Sequence, residues 1–147
     1  MTTRNFVLTI GIFYLLIGLL GFFPAAVSAP PPGAASVTTI DSVDGYLLGL
    51  FPVNALHRLV HLMIGIWGIG VYRSLPKSIT FSRGLAIIFG ALAVMGLIPA
   101  LNTTFGLIPI FGHAVWLHAA TAAIAAYFGY ARAVEVAPLE WEARRAS

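Results

Sequence analysis

The chain has 147 residues, 59% of them hydrophobic and 9% charged, with a mean hydropathy of +0.93. A soluble domain is about half apolar and about a quarter charged, so this composition excludes that class, and extended disorder with it. The chain has no cysteine, which excludes disulfides, thiolate metal sites, iron–sulfur clusters and cysteine nucleophiles.

The length fits a single domain over residues 1–147, and four charge-poor apolar stretches predict four membrane-spanning helices. The first, Phe6–Phe23, gives roughly 27 Å of helix, close to the thickness of a bilayer core. A secretory signal competes for this stretch, because Val27-Ser28-Ala29 resembles a cleavage site. The apolar run is longer than a signal core, and Pro30 disfavours cleavage, so a retained span is expected.

An outer loop over residues 24–52 follows. Pro30-Pro31-Pro32-Gly33 reads as an extended spacer, Val37–Ile40 has strand character, and Asp44-Gly45 reads as a turn. Tyr46–Phe51 is apolar enough to lie on the membrane. The second span is expected at 53–72, the third at 84–101 and the fourth at 112–131. Pro24 and Pro99 close the first and third spans, while Pro52 and Pro109 precede the second and fourth. Both placements suit a residue that lacks the backbone donor.

The basic residues serve as topology signals. Arg4 precedes the first span, Arg73, Lys77 and Arg83 crowd the second connection, and Arg132, Arg144 and Arg145 follow the fourth span. The other two connections carry no Lys or Arg. The positive-inside rule therefore predicts cytoplasmic termini and a cytoplasmic Tyr72–Arg83 loop. A pI near 9.7 reflects these scattered charges, so no nucleic-acid partner is expected.

The two halves of the chain resemble one another. Leu20-Gly21-Phe22-Phe23-Pro24-Ala25 matches Met95-Gly96-Leu97-Ile98-Pro99-Ala100, and Gly49-Leu50-Phe51-Pro52-Val53 matches Gly106-Leu107-Ile108-Pro109-Ile110. In these registers His61 falls on His118, and small residues coincide along the helices. The expected fold is thus an all-α four-helix transmembrane bundle. It would consist of two duplicated hairpins about a pseudo-two-fold axis along the membrane normal.

The histidines supply the chemistry. His57 and His61 lie about 40° apart around one helix, on successive turns of one face. His113 and His118 lie about 140° apart, with His113 at the helix mouth and His118 deeper. Second and fourth helices face each other across a simple bundle, so His61 and His118 can ligate haem b between them. The competing arrangement is a transition-metal site of His57 and His61 with His118 or His113. Asp41 and Asp44 would complete or orient that site from the outer loop.

A blander account makes His, Asn54, Asn102 and Arg58 interhelical hydrogen-bond partners in a non-catalytic subunit or assembly factor. That protein would pack on other membrane subunits through Gly and Ala faces. Intramembrane ionisable residues are rare enough to carry a functional expectation. No serine–histidine–acid set, phosphate loop or buried acidic relay accompanies them.

At Asn54-x-x-His57-x-x-x-His61-x-x-x-Gly65 the chain resembles a family of small four-helix membrane proteins of actinobacteria and cyanobacteria, recorded as a domain of unknown function. The resemblance covers nearly the whole chain, most specifically at Phe51-Pro52-Val53-Asn54, and implies a four-helix membrane bundle with no assigned activity. The expected protein is therefore a multi-pass bacterial inner-membrane protein. Its outer-leaflet histidine cluster would bind haem or a metal ion for electron transfer.

Overall fold

The computed structural model describes residues 1–30 and 45–133. Four helices form the bundle: α1 (Thr3–Leu20), α2 (Ala55–Val71), α3 (Leu75–Leu97) and α4 (His113–Ala126). The last continues as a π-helical turn over Tyr127–Ala131. Three of them, counting α4 through Ala131, are long and apolar enough to cross a membrane, and α2 is a shorter apolar helix. The outward faces carry exposed Ile12, Leu16, Met63, Ile66, Ile87 and Val94, a surface that suits lipid rather than water. This is a membrane protein.

Local chemistry sets the helix starts. Thr2 Oγ1 accepts from the Asn5 N–H at 3.2 Å, and Asn54 Oδ1 accepts from the His57 N–H at 2.9 Å. Each satisfies an amide that the first turn leaves without an intrahelical partner. The third helix begins at Leu75, well before the expected Gly84, so the connection expected at Tyr72–Arg83 shrinks to a few residues. Lys77 and Arg83 lie on α3 itself. Pro76 pre-shapes the first turn. The hydroxyls that depress the hydropathy there bond back to the backbone: Ser82 to the Ser78 carbonyl at 2.9 Å, Thr80 to the Pro76 carbonyl at 3.1 Å.

The all-α expectation also needs correction, because the outer connection forms a small antiparallel sheet. Its strands are β1 (Val27–Ser28), β2 (Gly45–Leu47) and β3 (Phe51–Val53), in the order β1-β2-β3. Tyr46–Phe51, expected to lie on the membrane, is mostly a β-hairpin with Leu47 opposite Phe51. Leu47 and Val53 are buried beneath it, which gives the apolar stretch a protein partner. Val37–Ile40 and Asp44 fall outside the described residues.

The first two helices pack closely as one hairpin and the last two as another. Glycines permit the approach in the first: a Cβ on Gly65 would stand 2.5 Å from the Leu15 backbone nitrogen, and one on Gly68 would stand 3.0 Å from the Gly11 Cα. Phe6, Val7, Tyr14, Phe81, Leu85, Phe89, Ala125 and Phe128 form the core between the hairpins. Phe6 stacks on Phe128 at 4.6 Å between ring centroids, at the end of the bundle where α1 begins. At the opposite end, two connections turn through left-handed backbone. Leu48 and Gly49 have φ of 53° and 71°, and Phe105 and Gly106 have 61° and 84°.

Candidate metal centre

The site lies at the sheet end of the bundle, where α2 and α4 begin. Asn54 caps α2 through Oδ1, while its Nδ2 donates to the Leu107 carbonyl at 2.7 Å. One side chain thereby starts α2 and ties it to the loop leading into α4. His57 stands in the first turn and His61 one turn on, so both imidazoles leave the same face. His118 reaches them from the second turn of α4.

The three imidazoles converge. Ring centroids lie 4.4 Å apart for His57–His61 and 6.1 Å apart for His57–His118. One candidate ligand nitrogen from each residue lies within 4.8 Å of the other two. All three side chains are buried, and the Nδ1 atoms of His57, His61 and His118 have no hydrogen-bond partner. An unsatisfied buried polar atom costs about 1–3 kcal/mol, so three in one cluster of side chains are unexpected in a site that serves packing alone. The His57 imidazole is also hydrogen-bonded to the Pro52 carbonyl. Metal-ligating histidines usually hold a backbone carbonyl in this way through the nitrogen away from the ion.

Aromatic rings brace the cluster. Tyr14 lies 5.0 Å from His61 and Phe89 lies 5.1 Å from His118, ring to ring, and Tyr14 and Phe89 touch at 5.1 Å. The Tyr14 hydroxyl and Thr121 Oγ1 share a hydrogen bond of 2.7 Å below the triad. Two small cavities flank the histidines, both apolar apart from the imidazoles and one hydroxyl. One, of about 10 Å³, is bordered by Ile17, Leu47, Phe51, Val53, Ala114 and Leu117 with the triad. The other, of about 50 Å³, is bordered by residues that include Val60, Leu92, Thr104, Ile108 and Ile110.

Of the residues expected at the site, His57, His61 and His118 are brought together. His113 is not: it is exposed at the start of α4, its ring 6.4 Å from Phe51. Asp41 and Asp44 lie outside the described residues. Tyr14, Thr121, Phe89 and Ala114 escaped the sequence reading because each looks like an ordinary apolar-helix residue. The repeat carried a signal for one pair, since its register places Tyr14 on Phe89. Haem b does not fit, for its macrocycle needs space on the scale of ligand pockets, about 300 Å³ or more, and the flanking cavities are far smaller. A single ion fits the donor set, because imidazole nitrogen suits zinc, copper, iron and nickel.

A family described as a domain of unknown function (DUF4383) matches residues 4–131. The chain belongs to that family. The matched span takes in all four helices and the three clustered histidines, and the family description assigns no activity to them. No curated protein and no solved structure matches the chain.

Proposed function

We propose that this DUF4383 protein binds one transition-metal ion through His57, His61 and His118. It does so in the outer leaflet of a bacterial inner membrane, with both termini cytoplasmic. The observation that carries this reading is the convergence of three buried imidazoles, each with one nitrogen within 4.8 Å of the others and each with an Nδ1 that has no hydrogen-bond partner. The Pro52 carbonyl on His57 supports it as an outer-shell anchor. Asp41 and Asp44 belong to the proposal as groups that orient the ligands from the outer loop. Arg4 and Arg73, at the end remote from the triad, support the orientation.

The same reading takes the chain as a duplicated hairpin. Matched positions with matched surroundings support this: the left-handed pair Leu48-Gly49 falls on Phe105-Gly106, and Tyr14 against His61 falls on Phe89 against His118. A Cβ on Gly21 would meet the Arg58 side chain, and one on Gly96 would meet the Val115 side chain, again at equivalent positions. The two cavities follow the register as well, with Ile17 on Leu92, Phe51 on Ile108 and Val53 on Ile110.

The packing-subunit account gains from Asn54, an interhelical tie in its own right. It gains nothing from Gly11, Gly65 and Gly68, whose close approaches join α1 and α2 within the chain. The test is elemental analysis of detergent-purified protein from native membranes, alongside H61A and H118A. The account predicts near-stoichiometric metal in the wild type and its loss in both variants. A wild type that stays metal-free after incubation with zinc, copper and cobalt ends the proposal.

A further inference from the structure

We infer that the fourth coordination position of the proposed metal centre is open and takes a small anion, because Ala114 stands where the internal repeat would place a fourth histidine. The inference rests on the metal reading above. In the register that sets Pro52 on Pro109, Val53 on Ile110 and His61 on His118, His57 falls on Ala114. A fully symmetric site would have two histidines from each hairpin. Four imidazoles would close a tetrahedral ion, whereas three and a methyl leave one side of it uncovered.

The surroundings agree. Ala114 is buried at 2% exposure and borders the same cavity as the three histidines. Three neutral imidazoles leave the whole charge of a divalent ion uncompensated in an apolar setting, where charge is expensive. No acidic side chain borders either flanking cavity among the described residues. With no fourth ligand among the described residues, the open position is assigned to an exogenous anion, which electrostatics favour. The cavity that Ala114 borders, about 10 Å³, is the size of a single water, and the second, about 50 Å³, also meets the triad, so the ligand is limited to the class of hydroxide, halide or, reaching into the larger space, azide. Closed centres suit electron transfer, while an open position suits ligand binding or hydrolytic chemistry at a metal-bound hydroxide.

The experiment uses the full chain in detergent, loaded with cobalt(II) and titrated with azide while the visible d–d bands are followed. The wild type is expected to show a saturable azide-dependent shift. A114H is expected to keep one cobalt per chain and lose the shift, since the Pro109 carbonyl can hold its ring as Pro52 holds His57. The double variant H57A/A114H is expected to regain an azide-responsive centre that H57A lacks, because it moves the third ligand from one hairpin to the other. If A114H does not fold, the wild-type titration decides alone. Stoichiometric cobalt whose spectrum ignores azide overturns the open position and leaves the metal site standing. Failure to bind cobalt overturns this inference, and failure to bind zinc and copper as well overturns the metal reading with it.

Discussion

The hydroxyls of Tyr14 and Thr121 lie 2.7 Å apart and join α1 to α4, just beneath the histidines that α2 and α4 contribute. Both residues are buried, and the Tyr14 ring also presses on His61. One contact thus couples the packing of the two hairpins to the position of a proposed ligand. Tyr14→Phe is expected to lower stability by about 1 kcal/mol, the worth of one net hydrogen bond. Thr121 limits the loss, because its hydroxyl can bond back into its own helix. Metal content should not change, since Phe89 already serves as the bracing ring for His118. Thermal unfolding and elemental analysis on the same sample check both halves of this prediction.

Asn54 acts twice, so its substitutions separate two effects. Asn54→Ala removes the α2 cap and the tie to Leu107, and should cost about 1–2 kcal/mol. His57 stands on the turn that Asn54 caps, so metal affinity should also fall, by roughly 10-fold or more. Asn54→Asp keeps the cap acceptor and loses the amide donor. It should recover most of the helix stability and less of the affinity, as read by competition with a chromogenic chelator.

The glycines predict a contrast. Gly65→Ala places a methyl 2.5 Å from the Leu15 backbone nitrogen, so α1 and α2 must separate. Overpacking of that kind costs about 1–3 kcal/mol. Gly70→Ala meets nothing within 4 Å on the same helix and should be neutral or slightly stabilising. Equal effects from the two variants would contradict the close helix contact.

These glycines also show what the sequence made legible. Apolar runs bounded by prolines disclosed the number of helices, and small residues at matched positions disclosed how closely they pack. The start of α3 stayed hidden, because Ser78, Thr80 and Ser82 lower the hydropathy while their hydroxyls bond to backbone carbonyls, those of Thr80 and Ser82 within α3 and that of Ser78 to Tyr72 at the end of α2. The sheet stayed hidden too, since its strands are two or three residues long and pair across a long connection. At the site, helical periodicity placed His57 and His61 on one face, and the repeat brought His118 to them. Periodicity also turned His113 away from His118, but only the packed structure shows that its ring lies near Phe51 and outside the cluster. Ala114 is marked in the sequence only through the repeat, whose register sets it on His57, and its place beside the triad is given only by the packed structure.

Orientation can be tested cleanly in a chain without native cysteine. Phe105, 78% exposed in the connection between α3 and α4, and Ser74, between α2 and α3, lie at opposite ends of the bundle. In intact bacterial cells, Phe105→Cys should react with a membrane-impermeant maleimide and Ser74→Cys should react only after lysis. The reverse pattern would place the histidines toward the cytoplasm.

Arg83 reaches from α3 to the π-helical turn, its Nε donating to the Gly129 carbonyl at 2.8 Å. Its guanidinium also lies 5.1 Å from the Tyr130 ring centroid. Arg83→Met should release that carbonyl and speed amide exchange over residues 127–131, with metal content unchanged because the triad sits at the other end of the bundle. Hydrogen exchange followed by mass spectrometry reads the local effect directly.

X-ray absorption at the metal edge of the loaded protein tests the central claim most directly. The account predicts three imidazole nitrogens at about 2.0–2.1 Å, visible by their outer-ring scattering, plus one light atom. Binding without three imidazoles in the first shell, or a spectrum that H118A leaves unaltered, would contradict it.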